Sequence, residues 1–326
     1  MSTGTFRRAT ARVTGIAAML LAGVCGAQGF PSKAVRMVIP FPPGGSSDAV
    51  GRIIGERLAE EWKHPVIIEN KPGAGTTIAS AFVAGSAPDG YTLYLQGVST
   101  HASAGALYKN LGFDPAKAFT AVANVSMSPF ILVVNPAVKA NTAKELLQLG
   151  QTKPEALSYA SSGNGGSPHL FVEILANANG IKFLHVPYKG FGPAIVALIA
   201  GEVNFAVADV AVMPQVRAGK VRALAVSTPR QSVLVPGVPT MAESGVPNMV
   251  MPSYIAVLGP AGMPRDVTAT INAQINRAVA NDDVKKKLLA QGFEPAPGTP
   301  EELANLLNAE TQRLTQIIQR TGIKLD

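Results

Sequence analysis

The chain has 326 residues, with 28 Lys and Arg against 21 Asp and Glu, a net charge of +7 at neutral pH and a single cysteine. The positive surplus is mild, and no run of basic residues with interleaved aromatics occurs. Nucleic acid is therefore not expected as a partner.

The first 27 residues have the form of a secretory signal peptide. Three arginines and no acid precede a short apolar run at 13–24, and Cys25-Gly26-Ala27 offers small residues for cleavage. The run is too short to span a bilayer with ease, which leaves an uncleaved membrane anchor as the alternative. We expect cleavage after Ala27 and export to the periplasm.

Cys25 could instead be a lipid attachment site at the end of the signal. Lipoprotein signals resemble one another in having a small residue before the cysteine, whereas Val24 is branched, so Cys25 is expected to leave with the signal. The mature chain would then contain no cysteine, which excludes disulfides, thiolate catalysis and cysteine-ligated metals. It would keep 25 Lys and Arg against 21 acids, a surplus of four.

Apolar strand-like runs alternate with amphipathic helical stretches, as is typical of a parallel α/β fold. The first predicted strands lie at 35–39, 66–69 and 92–95. A Pro- and Gly-rich turn follows the first of them, and Ser46 or Ser47 is predicted to cap the next helix. The third strand is predicted to run into a polar loop at 96–101.

From about Phe130 the pattern restarts. The next predicted strands lie at 131–134, 157–160, 183–186, 204–208, 221–226 and 254–258. The last of these is expected to return to the first lobe. Thr299-Pro300-Glu301-Glu302 is a capping box that predicts the start of the final helix. Because no linker divides the mature chain, two closely connected lobes are expected.

Two Gly- and Ser-rich loops, 44–48 and 161–169, each follow a predicted strand and precede a helix. Free N–H groups and the positive end of a helix dipole hold carboxylate oxygens without an arginine. One such loop is a weak signal, since a capped helix start is the ordinary explanation. Two loops on separate lobes that face one cleft predict a carboxylate site.

An enzyme, such as an α/β hydrolase, is the principal alternative. Neither glycine-rich loop forms a Gly-x-Ser-x-Gly elbow, and the phosphate-loop and dinucleotide motifs are absent from the sequence. The four histidines lack a metal-ligand spacing of four residues. Neither catalysis nor a metal or other cofactor is therefore expected.

Seven segments resemble the Bug-type proteins, which are extracytoplasmic solute receptors of tripartite tricarboxylate transporters. The segments are PFPPGGSSD at 40–48, ENKPGAG at 69–75, APDGYTL at 87–93, SYASSGNG at 158–165, HVPYKG at 185–190, AGKVRALA at 218–225 and PAG at 260–262. They occur in the family's order and span essentially the whole mature chain.

The resemblance implies a two-lobed, type II-like periplasmic-binding-protein fold that closes on its ligand, with each lobe a mostly parallel sheet flanked by helices. The expected division is a signal peptide at 1–27, a first lobe at 28–129 plus 253–326, and a second lobe at 130–252. The two crossover strands are expected near 128–131 and 252–255. The resemblance further implies a monomer that delivers a small mono- or dicarboxylate to the membrane permease subunits of the transporter. A sensor that presents its ligand to a signalling partner is the alternative.

The resemblance also supplies candidate ligand-binding residues. On the first lobe these are Phe41, Gly45, Ser46, Ser47, Asp48, Ala74, Gly75, Thr100 and His101. On the second lobe they are Ser162, Asn164, Gly165, Ser167, His169, Tyr188, Lys189 and Asp209. Structural roles are the alternatives: Asp48 would favour its helix dipole, both histidines could be loop donors, and an exposed Lys189 would be solvated.

One departure from the family concerns the corner after Asp209. Relatives often have Asp-Asn-Leu where this chain has Asp209-Val210-Ala211, so an amide side chain is missing there. Asp209 itself ends a strand predicted to be buried, and its charge needs a partner such as a ligand, a water or a helix start.

Overall fold

The computed structural model describes residues 30–108, 111–152, 156–188, 190–247 and 249–321. The predicted signal segment and Lys189 lie outside the described residues. Within the described ranges, no helix combines the length and apolar character needed to cross a membrane.

The secondary structure is numbered here in chain order. The strands are β1 Val35–Ile39, β2 Val66–Asn70, β3 Thr92–Gly97, β4 Phe119–Ser128, β5 Ile131–Val134, β6 Ser158–Ser161, β7 Leu184–Pro187, β8 Phe205–Ala208, β9 Arg222–Val226, β10 Ser253–Pro260 and β11 Glu294–Pro295. The α-helices are α1 Ser46–Trp62, α2 Thr77–Ala84, α3 Val98–Leu107, α4 Ala143–Thr152, α5 Ser167–Ala178, α6 Phe191–Ala200, α7 Met213–Arg217, α8 Arg265–Ala280, α9 Asp282–Ala290 and α10 Pro300–Thr321. Short 3-10 helices cover Ala74–Thr76 and Val210–Val212.

The strands form two sheets, one in each lobe of an α/β fold. The first sheet has the order β11-β4-β10-β3-β1-β2, and the second has the order β7-β6-β8-β5-β9. Apolar side chains of β1 pack against a stripe on α1 that includes Val50, Ile54 and Leu58, all fully buried. This stripe has the spacing of one helix face, which is why the predicted α1 forms where the sequence places it.

Both sheets are mixed, which corrects the expectation of mostly parallel sheets. Strand β1 runs parallel to β2 and β3, whereas β10 runs antiparallel to β3 and β4. In the second sheet β6 is parallel to β7 and β8, but β5 is antiparallel to β8 and β9. The antiparallel pairs arise at the strands that carry the chain between the lobes, because the chain leaves along β4 and returns along β10.

Two connections between the lobes lie side by side. Ser253 at the start of β10 pairs with Ser128 at the end of β4. Ser227, just after β9, accepts a hydrogen bond on its Oγ from the Phe130 N–H at 2.9 Å, and its own N–H donates to the Phe130 carbonyl at 2.9 Å. We propose that the lobes divide in these connections, at about residues 129 and 252.

The last helix, α10, begins on the first lobe, and its C-terminal half packs against the second lobe. The capping box is confirmed, since the Thr299 N–H donates to Glu302 Oε2 at 2.8 Å and the Glu302 N–H donates to Thr299 Oγ1 at 3.1 Å. Leu303 is buried in the first lobe, while Leu314 and Ile318 are buried with apolar residues of the second lobe. The helix therefore packs against both lobes.

Candidate functional site

A cleft with a volume of about 380 Å³ lies between the two lobes. Its wall is formed by loops that follow strands of both sheets and by the connections between the lobes. The lining residues are Phe41, Gly44, Gly45, Ser46, Ser47, Gly97, Thr100, Ser128, Phe130, Ser162, Ser167, Pro168, Phe191, Asp209, Val210, Ala211, Ser253, Ile255, Gln291 and Phe293. Among them, Asp209 alone has an ionisable side chain, so within the described residues no lysine or arginine lines the cleft.

Four helices begin at this cleft. Helices α1 and α3 in the first lobe and α5 and α6 in the second have glycine at the N-cap position and no side-chain cap. Residues of the first turn of each helix line the cleft. By contrast, side chains cap α9 and α10, although α2 and α8 also lack such caps. Uncapped N–H groups and the positive ends of four helix dipoles make the cleft attractive to anions.

Asp48 shapes the first-lobe loop from beneath and does not line the cleft. Its Oδ2 accepts hydrogen bonds from the Gly44 N–H and from Arg52 Nε, both at 2.9 Å, and its Oδ1 accepts one from Asn70 at 3.0 Å. The bond from Arg52 is the main reason that the pKa of Asp48 falls to about 2, although burial opposes the shift. In the structure, therefore, Asp48 holds the loop together through hydrogen bonds and does not line the cleft.

The predicted loop at 96–101 is wrong, because β3 continues to Gly97 and α3 begins at Val98. Consecutive helical residues point about 100° apart, so Thr100 lines the cleft whereas His101 does not. His101 is buried in a different cavity, where its ring packs edge-on against Phe119 at 4.9 Å between centroids. Burial lowers the pKa of His101 to about 4.

Ala74 and Gly75 also lie outside the lining of the cleft. They belong to an exposed 3-10 turn in which Ala74 and Gly75 both have positive φ, 45° and 58°. A Cβ on Gly75 would overlap the Tyr108 hydroxyl. The turn is therefore shaped by close packing against Tyr108.

In the second lobe, Ser162 and Ser167 line the cleft, whereas Asn164, Gly165 and Tyr188 do not. The candidate Lys189 lies outside the described residues. The loop is anchored from behind by His169, whose Nδ1 accepts a hydrogen bond from the Gly165 N–H at 3.0 Å.

His169 belongs to a stack of rings beneath this loop. The centroid of its ring lies 4.0 Å from that of His185, with the two planes 8° apart, and Tyr159 stacks on both histidines, at 4.8 Å from His185 and 6.4 Å from His169. Burial lowers the pKa of both histidines, that of His185 to about 4. Neutral His169 can accept the Gly165 N–H, so this histidine supports the loop and does not itself line the cleft.

Asp209 lies at the end of β8, on the cleft wall. Its Oδ1 accepts a hydrogen bond from the Ala211 N–H at 3.0 Å and thereby caps the 3-10 helix Val210–Val212. Burial raises the pKa of this carboxyl, while the bond from Ala211 opposes the shift. The capping bond is the helix-start partner that the sequence reasoning named as one possibility.

Several lining residues were missed from the sequence. Phe191 was missed because no helix was predicted at 191–200. Ser128 and Phe130 were predicted to lie in a crossover near 128–131, but they were not named as ligand-binding residues. Gln291 and Phe293 follow α9 in a turn with no Gly- and Ser-rich signal. Apart from Gln291 and Ser128, these additions are aromatic, so the cleft combines polar helix starts with an apolar wall.

No group of His, Cys, Asp and Glu able to hold a metal ion occurs in the part of the chain that the structure describes. The arrangement offers hydrogen-bond donors for an anion, aromatic surface for an apolar body and one carboxylate. These features belong to a binding site between two lobes.

Comparison with known proteins agrees with this architecture. The profile of a family described as tripartite tricarboxylate transporter family receptor matches residues 50–323. This chain belongs to that family. Protein BugT of Bordetella pertussis is 33% identical over 312 residues, which cover 95% of this chain and 96% of BugT.

Two solved members of the fold carry ligands in their names. A protein of R. palustris solved with adipate has a TM-score of 0.76 and 30% identity, over 91% of this chain and 100% of its own. MatC from Rhodopseudomonas palustris with bound malate has a TM-score of 0.73 and 32% identity, over 89% of this chain and 100% of its own. The chain is thus similar to periplasmic solute receptors over nearly its full length.

Proposed function

We propose that this protein binds a small carboxylate in the cleft between its lobes and delivers it, unchanged, to the permease subunits of a tripartite tricarboxylate-type transporter. The observation that carries the proposal is the convergence of four uncapped helix starts on one cleft. Adipate and malate in two relatives support a carboxylate as the ligand. Export by the N-terminal segment is part of the same proposal.

The proposed ligand-binding residues are those candidates that line the cleft: Phe41, Gly45, Ser46, Ser47, Thr100, Ser162, Ser167 and Asp209. The proposed role of the serines and Gly45 is to offer amide or hydroxyl donors to carboxylate oxygens. Asp48 and His169 are assigned to support of the loops, and His101 to packing against Phe119. Solute capture by helix starts requires neither a metal nor a reactive side chain.

Ser46→Pro tests the helix-start contact with little change elsewhere. Ser46 is the first helical residue of α1, where proline is tolerated, and Gly45 before it has a ψ of 170°, which a following proline permits. The variant loses the Ser46 N–H together with the Ser46 hydroxyl, and a hydrogen bond from such a donor to a charged group contributes roughly 1.5–3 kcal/mol. We therefore expect binding of the best acid to weaken about 10- to 100-fold by calorimetry.

Asp282→Pro is the matched control. Asp282 is the exposed first residue of α9 and does not line the cleft, and Asn281 before it has a ψ of 133°. The mature protein is first screened against carboxylic acids by thermal shift, since a ligand that binds the native state raises the melting temperature. Failure of every acid to stabilise the protein, or equal affinities for wild type and Ser46→Pro, would contradict the proposal.

A further inference from the structure

The two halves of the cleft differ in charge. On the first-lobe side, the starts of α1 and α3 meet the cleft, and no acid of the described first-lobe residues lines it. On the second-lobe side, the starts of α5 and α6 meet the cleft together with Asp209. A helix start carries roughly half a positive charge, so the charge of Asp209 offsets about two of them. Counted over the residues that the structure describes, the first-lobe side thus stays positive, while the second-lobe side is close to neutral.

The structural role of Asp209, capping a 3-10 helix, does not require a charged side chain. Oδ1 caps the 3-10 helix through the Ala211 N–H, a role that asparagine or serine performs as well. Within the described residues, Oδ2 receives no hydrogen bond and has no cationic partner. A carboxylate oxygen on the wall of a partly apolar cleft needs a donor, and here the ligand can supply it.

Between these sides the cleft wall combines several apolar side chains with Ser128, Ser253 and Gln291. Phe41, Phe130, Phe191 and Phe293 line it, together with Val210 at the position that follows Asp209. Val210 and Ala211, which follow Asp209, carry no hydrogen-bonding side chain, so neither side chain could hold a second carboxylate at this corner. A ligand with two negative ends would place one of them beside Asp209, whose charge already offsets the starts of α5 and α6.

We propose that the cleft selects acids with a single carboxylate, held at the first lobe, and with a hydroxyl or ammonium donor at the far end, held by Asp209. Dicarboxylates of the same length are then the poorer ligands. This inference rests on the proposed function, because it assumes that the cleft binds a carboxylate. It adds which class of acid is chosen and names Asp209 as the residue that determines the choice.

The test uses matched acids that differ only at the far end. Two suitable sets are 4-hydroxybenzoate, 4-(aminomethyl)benzoate, benzoate and terephthalate, and 5-hydroxypentanoate, 5-aminopentanoate, pentanoate and glutarate. In calorimetry with the wild-type protein, we expect the better donor-terminated acid of at least one set to bind 10-fold or more tightly than the dicarboxylate of that set. Comparison of the hydroxyl-terminated acid with the ammonium-terminated acid of each set shows which donor binds Asp209 more tightly.

Asp209→Asn keeps the cap but removes the charge, and we expect it to reduce this preference at least 5-fold, chiefly by improving dicarboxylate binding. Asp89→Asn is the control, because exposed Asp89 accepts the Tyr91 N–H at 3.0 Å in the same two-residue pattern and does not line the cleft. A wild-type preference for the dicarboxylate in both sets would overturn the inference while leaving the proposed function intact. Binding of no acid would overturn both the inference and the proposed function. The comparison of acids with the wild-type protein tests the inference even if Asp209→Asn does not fold.

Discussion

At the scale of single residues, the site depends on polar side chains that hold loops in place from behind. Asp48 fixes the first-lobe loop through Gly44 and Asn70, and His169 fixes the second-lobe loop through Gly165. Neither side chain lines the cleft. The loops themselves supply the lining residues, among them Ser46, Ser47 and Ser162.

Asp48→Asn should show how much the first-lobe loop depends on charge. The pKa of Asp48 is lowered from 3.8 to about 2, which corresponds to about 2 kcal/mol of stability above pH 4. Since the folded-state pKa is the lower one, this contribution disappears as the pH falls from about 4 to about 2. Urea unfolding at pH 7 should therefore show a loss of about 2 kcal/mol, and the gap to wild type should shrink at pH 3.

Asp266→Asn provides the comparison, because Asp266 is an exposed acid in the first turn of α8. It should cost only a few tenths of a kcal/mol, as expected for an exposed charge near a helix dipole. An equal, small loss for both variants would mean that the Asp48 network adds little to stability.

At the scale of elements, the sequence predicted most of the regular units but missed strand β4 and helix α6. Strand β1, the helix after it and the capping box of α10 were predicted because apolar spacing and local capping chemistry specify them. Strand β4 was missed because Asn124, Ser126 and Ser128 interrupt its apolar pattern, although all three are buried. Whether the His101 side chain lines the cleft depends on the residue at which α3 begins. The local sequence pattern did not indicate that residue.

The turn after α9 brings the lobes into contact. Gly292 has a φ of 81°, and a Cβ placed on it would lie 2.0 Å from Cγ2 of Val210 in the second lobe. Close by, the Ser232 hydroxyl donates a hydrogen bond to Glu294. Gly292 thus permits both a left-handed backbone and a close approach between lobes.

Gly292→Ala is expected to weaken acid binding about 5- to 10-fold, because its methyl group would hold the lobes apart. Gly262→Ala is the matched control, since Gly262 has a φ of 84° and nothing within 4 Å of an added Cβ. Both variants should lose about 1 kcal/mol of stability from backbone strain, but only Gly292→Ala should lose affinity in calorimetry. The second substitution Val210→Ala should restore part of it, and equal affinity losses at both glycines would argue against a specific contact between lobes.

At the scale of the whole molecule, two lobes joined by adjacent connections create a cleft whose walls come from distant parts of the sequence. Ser46 and Ser162 are 116 positions apart, yet both line it. The resemblance to a family indicated which loops meet there. The aromatic wall, in contrast, depends on long-range packing of Phe130, Phe191 and Phe293, which no local pattern specifies.

A crystal structure of the protein with its tightest-binding acid tests the central claim most directly. The account predicts an intact acid in the cleft, with carboxylate oxygens 2.7–3.1 Å from the amide nitrogens at the start of α1. An acid bound outside the cleft, held there without any helix-start amide, or converted to a product would contradict it.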